Sequence, residues 1–160
     1  MIKYNLLVIL IIILFISCDK DETSFPGSLY APIIHGYTVT DDFGNTVKII
    51  GTDDSKRVDP QLNSMNVRLR LYPNPCTQVI TLDIGGPGIS KKIWIVPANS
   101  SNFITSFNNS ACITVNGLPI TTVETTSEIL EIALDKFTSQ YFRVYVKIDD
   151  ILLWGNIVKQ

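Results

Sequence analysis

The side chains able to carry chemistry in this 160-residue chain are few and poorly spaced for it. His35 is the one histidine, so a hydrolytic triad has a single possible base, and the serines form no Gly-x-Ser-x-Gly elbow that would present a nucleophile. One histidine with Cys76 and Cys112 lacks the paired ligand spacing of zinc sites. The acidic pairs Asp41-Asp42, Asp53-Asp54 and Asp149-Asp150 raise the question of calcium, which takes about 6–8 oxygens. Asp41-Asp42-Phe43-Gly44-Asn45 is a fragment of that chemistry without its alternating aspartates, and aspartate is equally a turn former. No catalytic residue, metal-ligand set or cofactor is expected. One binding surface is: Tyr141, Arg143 and Tyr145 alternate away from a core, with Trp154 across a hairpin, and such aromatic and arginine faces suit a glycan or protein partner. The same residues also stabilise a sheet by cross-strand pairing alone.

Those residues need a frame, and the frame reads as strands. In the segment from Asn66 to Tyr72, Leu69 and Leu71 alternate with Arg68 and Arg70, the period of a strand with one face in a core. Pro73 and Pro75 lack ladder amides, so pairing is expected to stop at Tyr72-Pro73-Asn74-Pro75 and the chain to turn. It resumes from Gln78 to Ile84, with Ile80, Leu82 and Ile84 on one face. Gly85-Gly86-Pro87-Gly88 breaks structure. Lys91 to Val96 follows, its unbroken Ile93-Trp94-Ile95-Val96 run predicting cover on both faces. Ahead of this block, residues 31–40 and Thr46 to Ile50 read as a hairpin, and 51–63 as a loop. Behind it lie short strands at 103–107 and 111–115, then an Asn116-Gly117 type I′ turn into Leu118 to Glu124, with Pro119 pointing to a sheet edge. Glu128 to Leu134 reads as a strand, although Leu130, Ala133, Leu134 and Phe137 also recur at helical spacing. Tyr141 to Ile148, the Asp149-Asp150 turn and Ile151 to Val158 close the chain. Short strands at this spacing predict an all-β, antiparallel sandwich of the immunoglobulin-like or fibronectin type III-like kind.

The amino end follows other rules. Lys3 leads an apolar run from Leu6 to Ile16 that ends at Ser17 and Cys18, the order of a secretory leader. A membrane-spanning helix needs about 20 apolar residues, and this run is shorter and stops against Asp19, Lys20, Asp21 and Glu22. Phe15-Ile16-Ser17-Cys18 resembles the lipobox of bacterial lipoproteins. That resemblance implies that residues 1–17 are cleaved, that Cys18 is acylated, and that one partner is the lipid bilayer; a cut elsewhere leaves Cys18 an ordinary thiol. Cys18 to Glu22 is similar to the lysine-plus-acids tag of Bacteroidetes lipoproteins sent across the outer membrane, which implies a lipid anchor there and exposure at the cell surface, with the periplasmic face as the alternative. Residues 18–30 read as a flexible tether.

The 160 residues less 17 leave 143, the size of one domain. Without Lys3, 12 of the 13 basic side chains face 15 acidic ones, and no basic cluster exists, so nucleic acid is not an expected partner. Cys76 and Cys112 form one disulfide in an exported chain or remain buried thiols.

From Asn66 to Gln160 the layout resembles the carboxy-terminal sorting domain of the type IX secretion system. Leu71-Tyr72-Pro73-Asn74-Pro75 with Ile80-Thr81-Leu82-Asp83-Ile84 carries the opening match; Tyr141-Phe142-Arg143-Val144-Tyr145-Val146, Trp154 and Ile157-Val158-Lys159 carry the closing one. The resemblance implies a β-sandwich over 66–160 after an amino-terminal hairpin and loop over 31–65. It leaves two functions open: a retained interaction or structural module of a lipoprotein, or a sorting signal. As a removable signal the sandwich would leave a cargo of Cys18 to about Met65, too short for much of a core.

Overall fold

Alternation in the second half of the chain folds into two facing sheets. The computed structural model describes residues 25–27, 30–58, 67–86, 88–101 and 117–160. One sheet has the order β4 (Arg70–Tyr72), β5 (Val79–Asp83), β9 (Ile129–Ala133). The other runs β11 (Ile151–Val158), β10 (Tyr141–Ile148), β6 (Lys91–Pro97), β8 (Thr121–Thr125). All pairings within both are antiparallel. In chain order these seven strands serve as A, B, C, C′, E, F and G, and they divide as A-B-E against C′-C-F-G, an immunoglobulin-like sandwich.

The core follows from the alternation. Leu71, Ile80, Leu82 and Ile132 from the first sheet meet Ile93, Ile95, Phe142, Val144, Val146, Leu153 and Ile157 from the second. Each fully buried aliphatic or aromatic side chain contributes about 1.5–3 kcal/mol of transfer free energy. The segment open to a helical reading is strand β9, with Ile132 opposite Ile80 and Leu130 opposite Leu82, and no helix occurs among the described residues. The hairpin turn at Asp149-Asp150 is made with Asp149 at φ 50°, so β10 and β11 pair in register from Ile148↔Ile151 to Tyr141↔Val158. β8 pairs with β6; the strands expected at 103–107 and 111–115, Asn116 and Cys112 lie outside the described residues.

The first half of the chain covers the outer side of the β6–β10–β11 sheet. β1 (Ile33–Ile34) runs parallel to β7 (Asn99–Ser100), and β2 (Gly36–Thr40) pairs antiparallel with β3 (Thr46–Gly51). Ile34, Tyr37, Ala98 and Val158 form a second buried cluster, with Val39, Ile50 and Tyr141 against it. Ile93, Trp94, Ile95 and Val96 are all at most 2% exposed, so β6 is covered on both faces.

Two expectations change. The stretch read as a loop from residue 51 is tied down where it is described: Trp154 N–H donates to Lys56 O at 2.9 Å and Leu69 N–H to Arg57 O at 2.8 Å. It lies along the outer edge of β11 and joins it to the chain entering β4, through single bridges Lys56↔Trp154 and Val58↔Arg68. Backbone bridges place no demand on side-chain type, so composition does not reveal them. The corner at Tyr72–Pro75 also does more than stop pairing. Asn74 is fully buried, its backbone exchanges hydrogen bonds with Thr40, its Nδ2 donates to Thr38 O and Asn156 O, and its Oδ1 accepts from Val158 N–H.

Candidate functional site

The expected binding face is the outer face of the β6–β10–β11 sheet. Register places Tyr145 between Trp94 and Trp154, and Arg143 between Val96 and Asn156, all with side chains on that face. Lys92 Nζ lies 5.8 Å from the Trp94 ring centroid and 2.9 Å from Glu124 Oε1. The sheet thus brings Tyr141, Arg143, Tyr145 and Trp154 together as alternation predicts. The outward, solvent-facing position assigned to Arg143 is corrected: it is 9% exposed.

Arg143 is buried because segment 53–54 folds over it. One guanidinium nitrogen, Nη2, donates to Asp54 Oδ1 at 2.7 Å and Oδ2 at 2.8 Å, while Nε donates to Asn156 Oδ1 at 2.9 Å. Asn156 Nδ2 in turn donates to Gly36 O at 2.8 Å and Asp54 Oδ1 at 2.9 Å. Beside it, Asp53 accepts from Thr38 Oγ1, Ser55 N–H, Ser55 Oγ and Arg57 Nη2. Trp154 Nε1–H donates to Asp54 O at 2.9 Å. This network joins β2, segment 53–57 and the last two strands. A buried charge tolerates such a place only when paired and hydrogen-bonded, and Arg143 is both.

An open cleft of about 330 Å³ in the same layer is lined by His35, Gly51, Thr52 and Asp54. Gly51 is required there: at φ +68° a Cβ would stand 2.2 Å from His35 O, and Thr52 N–H already donates to that carbonyl. The cleft offers a carboxylate held by Arg143, an exposed imidazole and a threonine hydroxyl, groups that bind hydrogen-bonding ligands. Cys76 is not part of it, since its thiol is buried in the core.

Asp41 is occupied locally. Asp41 Oδ1 accepts from Phe43 N–H and Asn45 N–H, Oδ2 from Asn45 Nδ2, and these bonds hold its carboxyl below the ordinary range. Among the described residues no group of three or more His, Cys, Asp or Glu side chains gathers to hold a metal. Burial pushes the Cys76 thiol above its ordinary value, and burial followed by the neighbouring Tyr141 does the same to the Tyr37 phenol.

The sequence marks Lys91 only as a strand start. It is fully buried, its Nζ donating to the carbonyls of Gly86 at 2.8 Å, Ile89 at 3.1 Å and Thr126 at 3.3 Å, and burial lowers its affinity for the proton. The glycine-rich break ahead of it is the available signal, because loops that expose carbonyls need a donor. The acylation residue Cys18 and the expected export tag Asp19, Lys20, Asp21 and Glu22 lie outside the described residues. The motif residues Tyr72, Pro73, Asn74 and Pro75 form the corner after β4, with both X-Pro bonds cis.

No protein-family model matches the sequence, and no curated protein matches it. Among solved structures the chain is similar to a DUF3244 family protein from Bacteroides vulgatus ATCC 8482, described as having an immunoglobulin-like β-sandwich fold. The identity is 12%, the TM-score 0.44, and the match covers 68% of this chain and 100% of that one. The architecture given above rests on this chain's own strand order.

Proposed function

We propose that the protein is an exported lipoprotein, anchored in the outer membrane through acylated Cys18, whose sandwich is a non-catalytic interaction or structural module at the cell surface. The observation that supports this best is where the chemically capable side chains go. Asp53, Asp54, Arg143, Asn156 and Asn74 are engaged with one another and with backbone, holding residues 36–57 onto the sandwich. Those bonds also count against a removable sorting signal, because release of 66–160 would break every one that crosses from the first half of the chain.

Intact mass of the protein extracted from its native membranes tests the reading. The expected species runs from Cys18 to Gln160 with added acyl chains, and Cys18→Ala should move the protein to the soluble fraction. An unacylated or carboxy-terminally trimmed species overturns it. The second reading, a type IX sorting domain, draws on the placement of both halves of the resemblance, Tyr72–Pro75 and Tyr141–Lys159, in one sandwich. Loss of the sandwich from the mature protein is the outcome that would favour it.

A further inference from the structure

We propose that Phe25 is a latch that docks the amino-terminal tether onto the Trp94–Tyr145 aromatic pair and holds that sheet face toward the membrane. The ring of Phe25 lies 5.5 Å from Tyr145 at 72°, an edge-to-face contact, and 6.0 Å from Trp94 at 59°. Both geometries fall within the range in which aromatic pairs attract through their quadrupoles. The turn that delivers the ring is tight: a Cβ at Gly27 would stand 2.1 Å from Phe25 Cζ, so the Phe25-Pro26-Gly27 backbone folds over its own first side chain. Glycine at 27 is what permits that contact.

The position of the contact along the chain gives it a consequence. Cys18 is seven residues from Phe25, and a fully extended chain spans at most about 3.3–3.6 Å per residue, so Cys18 lies within about 25 Å of the docked ring. Without the contact, the chain is next fixed at Tyr30, a β-bridge residue twelve positions from Cys18, and the leash lengthens to about 43 Å. Docking therefore shortens the reach of the sandwich from about 43 Å to about 25 Å. It also selects an orientation, with Trp94 and Tyr145 on the membrane side and the β4–β5–β9 sheet on the far side. The orientation rests on the lipid-anchored reading above; the latch itself does not.

The test uses the full mature chain with Trp154→Phe, which leaves Trp94 as the only tryptophan. Phe25→Ala should raise acrylamide quenching of Trp94 roughly twofold as its aromatic cover is lost, whereas Phe25→Tyr should leave it unchanged. In vesicles carrying a dansyl-labelled headgroup, energy transfer from Trp94 to lipid should fall in Phe25→Ala and in Gly27→Val. Unchanged quenching in Phe25→Ala overturns the latch. Raised quenching with unchanged transfer overturns the orientation. A protein that proves unacylated removes the anchored reading, and the quenching comparison still decides the latch.

Discussion

A guanidinium on the outer face of a strand is inexpensive in water and costly beneath a second layer, and Arg143 is beneath one. Replacing it by methionine keeps the apolar stem but leaves Asn156 Oδ1 without its donor and Asp54 with only the Asn156 Nδ2 bond. Because Asp54 retains 42% side-chain exposure, water takes up part of the loss, and the expected cost is about 1–3 kcal/mol, read as a lower urea midpoint. Arg143→Lys should recover only part of it, since an ammonium cannot serve Asp54 and Asn156 together as the fork does. Cys76 supplies a pH test. Its folded-state pKa is raised by burial, so the unfolded chain loses the thiol proton first, from about pH 9. The contribution is present below that pH and declines as pH rises through the folded value. Stability of the wild type should therefore fall more steeply above pH 9 than that of Cys76→Ala, as followed by denaturant midpoints across the alkaline range.

Among the elements, the corner and the hairpin behave oppositely. Asn74→Ala leaves Thr38 O, Asn156 O and Val158 N–H without their partner, and with about 1–3 kcal/mol for each buried group left unsatisfied, a loss on the order of 3 kcal/mol or more is expected in chemical denaturation. Leu71→Ala in β4 should cost about 2–5 kcal/mol, since Leu71 is fully buried and its side chain sits 2.6 Å from where a Cβ at position 155 would lie. Val47 and Ile49 on β3 are 62% and 61% exposed, and replacing either with lysine should change stability by no more than about 0.5 kcal/mol. A large loss at either position would show that the hairpin face is covered in solution. Lys91→Met removes a donor from three carbonyls and is expected to destabilise by about 1–3 kcal/mol despite adding apolar surface.

At the scale of the molecule, the covering layer sets what can be separated. A fragment of residues 66–160 would uncover Ala98 and Val158 and strip Arg143, Asn74 and Asn156 of partners contributed by residues 36–54. It is expected to unfold at lower denaturant than the mature chain, or to aggregate through the exposed apolar face. A fragment as stable as the mature chain would support an independent sandwich and favour the sorting reading.

Local pattern alone carried a good deal of this protein. Period-two alternation marked β4, β5, β9 and β10, the Asp149-Asp150 turn placed β11 beside β10, and the Ile93–Val96 run announced a strand covered on both sides. Those features are local, because side chains on a strand alternate whatever lies beyond it. What covers each face is not local. Alternation put Arg143 and Tyr145 outward, and only the folded chain shows residues more than 80 positions away, Asp54 and Phe25, closing over them. The same holds for Asn74, whose sequence neighbours read as a turn while its hydrogen-bond partners come from β2 and β11, and in part for Lys91, which joins the nearby Gly86 and Ile89 carbonyls to the distant Thr126 carbonyl. A polar residue declares its role through its partners, and partners distant in sequence are decided by tertiary packing.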